Sequence, residues 1–423
     1  MIALVDRRPP SALASADFRR LTLARFLLTF AIQVQTLVMA WQVYSIKHDP
    51  WFLGLIGLFE AVPAISLALF SGDVVDRSDP LKVYKNVIRG CFLSALLLFV
   101  VSTPAAGIPA GDRVPWIYLA AFITGCARGF GQPSMYSLVP QMIPRETLAA
   151  SSAWITAAFQ TASVVGPGVG GVLFAWKGER LPYGLDLLLL GGAMAAAALI
   201  QLRPKPAPSG PPGETAFRRA TSGMRFVFSD AILLPALALD MFAVLFGGVE
   251  AILPIFAGDI LKIGAAGLGL LQASPSIGAL IGSALMIRFP VNRRAGRILL
   301  IVVTGFGFSI IGFALSKTVW LSLLLLGLAG ALDSVSMVIR GAIVQISSPD
   351  HMRGRVAAVN SIFIGTSNEI GAFESGVAAK LLGTVPSVIA GGCLTLATVA
   401  AAALFAPKLR EMDLDRISAG RPA

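Results

Sequence analysis

The chain has 423 residues, of which 56% are hydrophobic and only 13% are charged, and its mean hydropathy is +0.77. Soluble domains carry roughly 25% charged residues, so this composition excludes an ordinary water-soluble protein and indicates one embedded in membrane lipid. The formal net charge is +11, but the basic residues flank apolar runs, which argues against nucleic acid as a partner.

Twelve apolar runs are long enough to cross a bilayer as helices, since a crossing needs about 20 mostly apolar residues. The predicted spans, numbered 1 to 12 in chain order, are 21–46, 52–75, 83–103, 115–139, 149–175, 183–202, 231–257, 266–288, 297–316, 319–346, 355–382 and 385–406. Lys and Arg residues concentrate in the loops that share a side with both termini. The positive-inside rule therefore predicts cytoplasmic termini for a multi-pass protein of the inner (plasma) membrane.

A polar, proline-rich segment, RPKPAPSGPPG at 203–213, divides these spans into two sets of six. We expect an N-terminal six-helix bundle over 1–202, a cytoplasmic linker over 203–230, and a C-terminal bundle with a cytoplasmic tail over 231–423. Helical spacing places four linker residues on one face: Phe217, Thr221, Met224 and Phe228. A short amphipathic helix on the membrane surface and an ordinary solvated linker helix both fit this pattern.

The two sets of spans resemble each other weakly. A shift of 205 positions pairs span 5 with span 11, as a six-plus-six duplication requires. The aligned pairs include Gly166 with Gly371 and Gly171 with Gly376. Two six-helix halves related by an axis along the membrane normal are a known transporter architecture. The predicted fold is therefore all-α and integral to the membrane, with twelve transmembrane helices in two pseudo-symmetric six-helix bundles.

The loop between spans 2 and 3 reads SGDVVDRSDPLK over 71–82. It resembles the loop signature of the major facilitator superfamily, G-x-x-x-D-R-x-G-[RK]-[RK]. Gly72, Asp76 and Arg77 match that signature, whereas residues 79–81 depart from it. The resemblance implies a gating role for the three matching residues, with Asp76 latching the two halves on the cytoplasmic side near the start of span 11.

Three further segments are similar to members of this superfamily. In GCARGFGQP at 125–133, Arg128 matches the family's span-4 arginine, and GPGVGG at 166–171 is similar to the span-5 motif of its proton antiporters. PDHMRGRVAAVNSI at 349–362 resembles a bacterial branch that includes enterobactin exporters and drug efflux proteins. These resemblances imply the major facilitator fold and export of a small organic molecule, by a protein that is usually a monomer.

Small residues recur every four positions on one face of span 5, and a similar face occurs on span 8. Such faces let membrane helices approach closely, so we predict that span 5 packs against span 8 across the two halves. The residues assigned to gating or packing here are Gly166, Pro167, Gly170, Gly171, Ser274, Gly278 and Gly282. The alternative is that glycine is simply common in membrane helices.

Ionisable groups inside spans cost about 2.5–3.5 kcal/mol each on insertion scales, so they are functional candidates. The candidates for central charges and proton coupling are Arg128, Asp333, Glu369, Asp240 and Glu60. Arg128 aligns with Asp333 under the internal shift, which would place opposite charges on either side of a central cavity. One interpretation is a buried pair between Arg128 and a carboxylate, and the other is proton uptake and release by Asp333 or Glu369. Rim or snorkelling positions are expected for Arg25, Asp186, Glu250 and Arg340.

Polar and aromatic residues within the spans predict a cavity lining suited to an amphipathic organic solute: Gln33, Gln35, Gln160, Asn360, Asn368, Phe59 and Phe242. The preferred function is secondary active export of a siderophore- or drug-like small molecule by alternating access, in exchange for protons. Facilitated or proton-coupled uptake, and a non-transport receptor or scaffold, are the alternatives. P-loop, H-E-x-x-H and G-x-S-x-G motifs are absent from the sequence, so we expect no enzyme activity, cofactor or metal.

Overall fold

The computed structural model describes residues 12–144, 147–202, 216–291, 293–349 and 352–414, and these residues contain helices and turns but no strand. The helices are α1 Ala16–Lys47, α2 Pro50–Arg77, α3 Pro80–Val101, α4 Val114–Met142, α5 Leu148–Lys177, α6 Arg180–Ala198, α7 Ala216–Ser229, α8 Leu233–Gly247, α9 Gly264–Arg288, α10 Ala295–Leu315, α11 Val319–Ser347, α12 Arg353–Leu382, α13 Thr384–Phe405 and the short α14 Pro407–Arg410. We call α1–α6 the first half and α8–α13 the second half.

Helices occupy all twelve predicted spans, with α8–α13 at spans 7–12. Within the described residues, ten segments are long and apolar enough to cross a membrane by length and composition. The other two spans, α4 and α12, are equally long helices that carry Arg128 and Glu369 in their interiors. The two helices least suited to lipid thus both bring charge into the bundle.

The seventh span is not one continuous helix. After α8 ends at Gly247, a 3₁₀ turn over Glu250–Ile252 is followed by an α-helical turn over Leu253–Ile255 and a π-helical turn over Phe256–Ile260. Non-helical backbone at membrane depth is tolerated where it meets protein or lines a cavity. Glu250 and Leu253 do line the central cavity described below.

A tight connection joins α2 to α3. The Asp79 carboxylate accepts hydrogen bonds from the backbone N–H groups of Leu81 at 2.9 Å and Lys82 at 3.3 Å. Pro80 occupies the first helical position, where a missing N–H costs nothing. Residues that depart from the superfamily signature thus serve to start α3.

The helices of each half pack mainly on one another, and one cluster of buried apolar residues, which includes Val38 and Phe256, spans both halves. In the first half, α2 and α3 pack against α4, and α1 packs against α5 and α6. In the second half, α9 and α10 pack against α11, and α8 packs against α12 and α13. The main contacts between the halves are α5 with α9 and α2 with α12.

Two interfaces between the halves rest on equivalent glycines. A Cβ added to Gly171 would overlap the backbone of Ala265 on α9, and one added to Gly54 on α2 would lie 3.1 Å from the Cα of Gly376. Gly171 and Gly376 are the positions paired by the internal shift. The α5–α9 and α12–α2 contacts are therefore related by the pseudo-symmetry, which confirms the predicted two-bundle fold.

The same relation holds inside each half. A Cβ on Gly166 would lie 2.7 Å from the Cβ of Gln33 on α1, and one on Gly371 would lie 3.0 Å from the carbonyl oxygen of Leu245 on α8. Span 5 thus packs on span 1 in the first half in the same way as span 11 packs on span 7 in the second half. The weak internal alignment reflects equivalent helix contacts.

Spans 5 and 8 do pack against each other, but the predicted residues make other contacts. On α5, Gly166 and Gly170 face α1 of their own half, and a Cβ on Gly170 would lie 3.4 Å from the Cα of Val34. On α9, Gly278 and Gly282 face α11, and the hydroxyl of Ser274 donates to the Leu270 carbonyl of its own helix.

The interface between the halves instead places Pro167 and Gly168 against Gly269, and Gly171 against Ala265. The assignment of Gly166, Gly170, Ser274, Gly278 and Gly282 to this interface was therefore wrong, while Pro167 and Gly171 do lie in it. A four-residue spacing of small residues identifies a close helix contact but does not specify which neighbour makes it.

We predict that Gly376→Leu separates α2 from α12, because a leucine side chain cannot fit against the backbone of Gly54. Leu53 is 2% exposed beside this contact. A cysteine introduced there (Leu53→Cys, with Cys91, Cys126 and Cys393 replaced) should react with maleimide at least several-fold faster in the purified Gly376→Leu protein.

Gly191→Leu on α6 is the matched control, because a Cβ at that position meets no atom within 4 Å. Equal labelling rates in the Gly376→Leu and control proteins would show that the α2–α12 contact does not close this end of the bundle.

Candidate functional site: a cavity between the two halves

A cavity of about 510 Å³ lies between the two halves, within the range of 300–1,000 Å³ typical of small-molecule sites. Helices α1, α2, α4 and α5 of the first half and α9 and α12 of the second contribute to its walls. Five charged side chains line it: Arg25, Glu60, Arg128, Glu250 and Glu369. The cavity therefore combines both halves of the duplicated fold with an unusual density of charge for a lipid-embedded bundle.

Arg128 connects the two halves. Its Nη1 pairs with Oε1 of Glu60 on α2, and its Nη2 lies 3.1 Å from Oε1 of Glu369 on α12. Gly125 lies one helical turn before Arg128, and its lack of a side chain lets α4 approach the backbone of Glu60. One guanidinium thus holds a carboxylate from each half, in the geometry for which arginine is suited.

A second buried ion pair lies within the second half. Arg340 on α11 pairs with Asp240 on α8, and their side chains are 3% and 8% exposed. Asp333 lines a small separate void together with Asp240 and Ser336. The expected rim position of Arg340 was wrong, because its guanidinium turns into the bundle and pairs with the buried Asp240 of α8.

The expected placement of Arg128 opposite Asp333 across the central cavity was also wrong. Arg128 pairs with Glu60 and Glu369, while Asp333 lies beside Asp240 in the second half. The internal shift correctly finds equivalent helices. However, equivalent backbone positions do not fix the direction of different side chains, so the shift does not predict that Arg128 and Asp333 face each other.

Hydrogen bonds between the halves close the end of the bundle where α1 ends and α2 begins. Tyr44 donates to Oδ1 of Asp259 at 2.6 Å, and Lys380 donates to Oδ2 of Asp49 at 2.5 Å. Burial acts to raise the pKa of Asp49, but the hydrogen bonds from Lys380 and the Trp51 N–H outweigh it and lower that pKa below its usual value.

The cavity extends toward the opposite end, where α1 begins. Arg25 lines it there, with Nη2 lying 3.5 Å from Oε1 of Gln132 and the guanidinium 5.9 Å from the Phe159 ring centroid. The cavity is thus closed near Tyr44 and Asp49 and directed toward the end of the bundle that carries Arg25.

Only part of the predicted lining faces this cavity. Gln33 and Asn368 line it. Gln35 is 2% exposed, and its Nε2 donates to Ser94 at 2.9 Å and to Thr124 at 3.1 Å, so it belongs to the core of the first half. Its assignment to the lining was wrong, because a buried amide in a span serves equally well as a hydrogen-bonding core residue.

Four other predicted lining residues lie outside the cavity wall formed by the described residues: Gln160, Asn360, Phe59 and Phe242. Phe59 stacks on Tyr118 with ring centroids 5.0 Å apart, and Phe242 stacks on Phe246 at 6.0 Å. Lining residues that the sequence analysis missed include Thr36, Gln272 and Ser276. Gln272 is an amide inside an apolar span, the same signal that identified Gln33.

The signature loop lies at the end of α2. Gly72 is exposed, and a Cβ there would meet no atom within 4 Å; Arg77 is the last residue of the helix. The backbone of Asp76 belongs to α2, but its side chain lies outside the described part of the structure, as does that of Arg353. The latch between α2 and the start of α12 stays a prediction.

The linker helix α7 packs on protein. Arg355 at the start of α12 donates to the Ser222 hydroxyl at 2.9 Å, and the Phe228 ring lies 6.5 Å from that of Phe363. Met224 and Phe228 are also 40% and 58% exposed. The predicted linker helix is therefore present, and its apolar face is shared between α12 and the surroundings.

The chain matches the family model described as transmembrane secretion effector over residues 9–421. That match covers nearly the whole chain. The protein belongs to this family of major facilitator transporters. The superfamily membership expected from the loop and span motifs is confirmed.

The enterobactin exporter EntS of Shigella boydii serotype 4 is 25% identical over 375 residues, which are 89% of this chain and 88% of that protein. EntS of Escherichia coli O81 is equally similar, at 25% over 375 residues. These relatives bear out the expected exporter branch.

Solved structures show the same fold. A bacterial homologue of the iron transporter ferroportin, in an inward-facing state, has a TM-score of 0.66 at 17% identity, covering 94% of this chain and 99% of that one. A D-xylose–proton symporter has a TM-score of 0.73 at 13% identity, covering 94% and 99%. The protein is thus a multi-pass membrane transporter of a small molecule, and a family of transporters is consistent with the expected lack of enzyme activity.

We predict that Arg128→Met lowers the thermal stability of the purified protein by several degrees, because it leaves the buried Glu60 carboxylate without its partner. Adding Glu60→Gln should recover part of that loss, since an amide is less costly to bury than an unpaired charge. Melting temperatures in detergent provide the measurement.

Arg89→Met on the exposed face of α3 is the control, because Arg89 contacts only Asn86 three residues away among the hydrogen bonds and ion pairs of the described residues. If Arg128→Met melts with the wild type, or if Glu60→Gln worsens the loss, the pair does not stabilise this arrangement of the halves.

Proposed function

We propose that the protein exports a siderophore- or drug-like small molecule across the inner membrane by alternating access, in exchange for protons. The observation that carries this proposal is the ion triad in which Arg128 holds Glu60 of its own half and Glu369 of the other. Such a contact changes when two rigid halves tilt against each other. The similarity of this chain to enterobactin exporters supports outward transport of an organic molecule.

In this proposal the chain works as a monomer with bundles over 1–202 and 231–423, joined by a linker over 203–230. Both termini lie in the cytoplasm, as the distribution of Lys and Arg predicts. The end of the cavity near Arg25, where α1 begins, then faces the cytoplasm. The contacts of Tyr44 and Asp49 close the outer side, so the cavity is ready to receive a substrate from inside.

Glu369 is our first choice for the proton carrier. Glu60 and Arg128 lie in the same half and stay together as the halves tilt, whereas Glu369 lies in the other half. When Glu369 moves away from Arg128, its carboxylate loses its cationic partner in a low-dielectric site. Proton uptake then avoids the cost of an unpaired buried charge. Asp333 and Asp240, beside Arg340, are the second choice.

The outer contacts supply the mechanical part of the cycle rather than the proton switch. Because the pKa of Asp49 is lowered, the Asp49–Lys380 pair stays ionised until the pH falls below the usual carboxyl range. Its contribution to closing the outer side is therefore constant across neutral pH, and coupling to protons falls to the carboxylates of the cavity.

The direct test measures efflux of a panel of organic compounds from cells that lack their own exporters, with and without a protonophore. We expect cells that produce the protein to accumulate less of at least one compound, and a protonophore to abolish that difference. Efflux that continues unchanged after the proton gradient collapses would reject proton coupling. Accumulation above that of control cells would instead support uptake.

We predict that Glu369→Gln abolishes uphill transport in proteoliposomes but preserves exchange of substrate across the membrane. An amide keeps the shape of the side chain and a hydrogen bond to Arg128, but it cannot carry a proton. Asp333→Asn is measured beside it. Full uphill transport by Glu369→Gln, with its loss in Asp333→Asn, would move the proton site from the central cavity to the carboxylates beside Arg340.

A further inference from the structure

The charges that line the central cavity do not balance. Glu60, Glu250 and Glu369 contribute three carboxylates, while Arg25 and Arg128 contribute two guanidinium groups. Charge in a low-dielectric cavity is costly unless it is compensated. With these carboxylates ionised, an occupant that carries positive charge compensates the excess.

The two arginines are not available to bind an anion at the closed end. Both terminal nitrogens of Arg128 already hold carboxylates, Glu60 and Glu369. Arg25 lies about 22 Å along α1 from Ala40 near the closed end, since a helix rises 1.5 Å per residue, and it contacts Gln132, one helical turn beyond Arg128. An anionic group at the closed end would therefore have to displace a carboxylate from Arg128.

Glu250 supplies the unmatched negative charge. It comes from the broken segment after α8, is exposed, and makes no ion pair or hydrogen bond among the described residues. The turn Glu250–Ile252 packs against α2 and α12, the helices that carry Glu60 and Glu369. The three carboxylates thus converge on one region of the cavity from three separate elements.

The uncharged lining residues indicate the chemistry of the uncharged part of the ligand. Apolar walls come from Ile32, Ile56, Leu253 and Phe159, and amides from Gln33 and Gln272. Apolar walls with a few placed polar groups are typical of sites for organic molecules. The volume of about 510 Å³ accommodates a compound larger than a simple amine or metal ion.

We infer that this cavity binds an amphipathic organic monocation, with its charged group beside Glu250. This inference rests on the proposed transport function and specifies its substrate class. It follows from the charges that line the cavity of this chain.

The test compares tetraphenylphosphonium with tetraphenylborate, two apolar ions of nearly equal size and opposite charge, for binding to the full-length purified protein in detergent. We expect tetraphenylphosphonium to bind with one site and to raise the melting temperature, and tetraphenylborate to bind more weakly. Glu250→Gln should weaken tetraphenylphosphonium binding about tenfold, which corresponds to about 1.4 kcal/mol. Glu411→Gln, an exposed carboxylate beyond α13, is the matched control and should leave binding unchanged.

Equal or tighter binding of tetraphenylborate would overturn the inference, as would tetraphenylphosphonium binding that Glu250→Gln does not change. Failure of tetraphenylphosphonium to bind at all would overturn it as well. Efflux from proteoliposomes is measured in parallel with neutral and anionic compounds. It distinguishes failure of the cationic substrate class from failure of the proposed export function. Transport of one of those compounds alone would reject the cationic substrate class and keep the proposed export function.

Discussion

A guanidinium in the interior of a lipid-embedded bundle needs a negatively charged partner. The way in which Arg128 is paired links the two halves of this protein. One partner, Glu60, lies in the same half, and the other, Glu369, lies across the cavity. The compensation therefore depends on the relative position of the two halves. Close backbone contacts at Gly54–Gly376 and Gly171–Ala265 set that position, since only small residues allow the helices to approach so closely.

The same requirement explains which helices are least apolar. The helices α4 and α12 are long enough to cross a bilayer, but they carry charged and amide side chains that lipid would not tolerate. They can occupy the bundle because those side chains meet the cavity or each other. In a soluble protein such charges would be mostly solvated, whereas here they are costly unless they are paired, and costly groups in a membrane are typically functional.

Much of the fold followed from the sequence, because the bilayer fixes the length and apolarity of a span and the polar, proline-rich sequence at 203–213 separates six apolar runs from six. The central participation of Arg128, Glu60 and Glu369 also followed, since charge inside a span is itself the signal. The contacts of Gly166 and Gly278 did not follow, because a membrane helix has several close neighbours and spacing alone does not choose among them. For the same reason Gln35 was assigned to the cavity although it bonds to Ser94 within the core.

The pseudo-symmetry of this protein concerns backbone packing and not charge. Gly125 meets the backbone of Glu60 on α2, and its counterpart Gly330 meets the backbone of Pro275 on α9, so the two halves keep the same helix contacts. One turn beyond these glycines, Arg128 stands where the second half has Asp333. The arginine of the second half, Arg340, is buried with Asp240 away from the central cavity. Duplication thus provided two equivalent scaffolds, and unequal charge made one wall of the cavity different from the other.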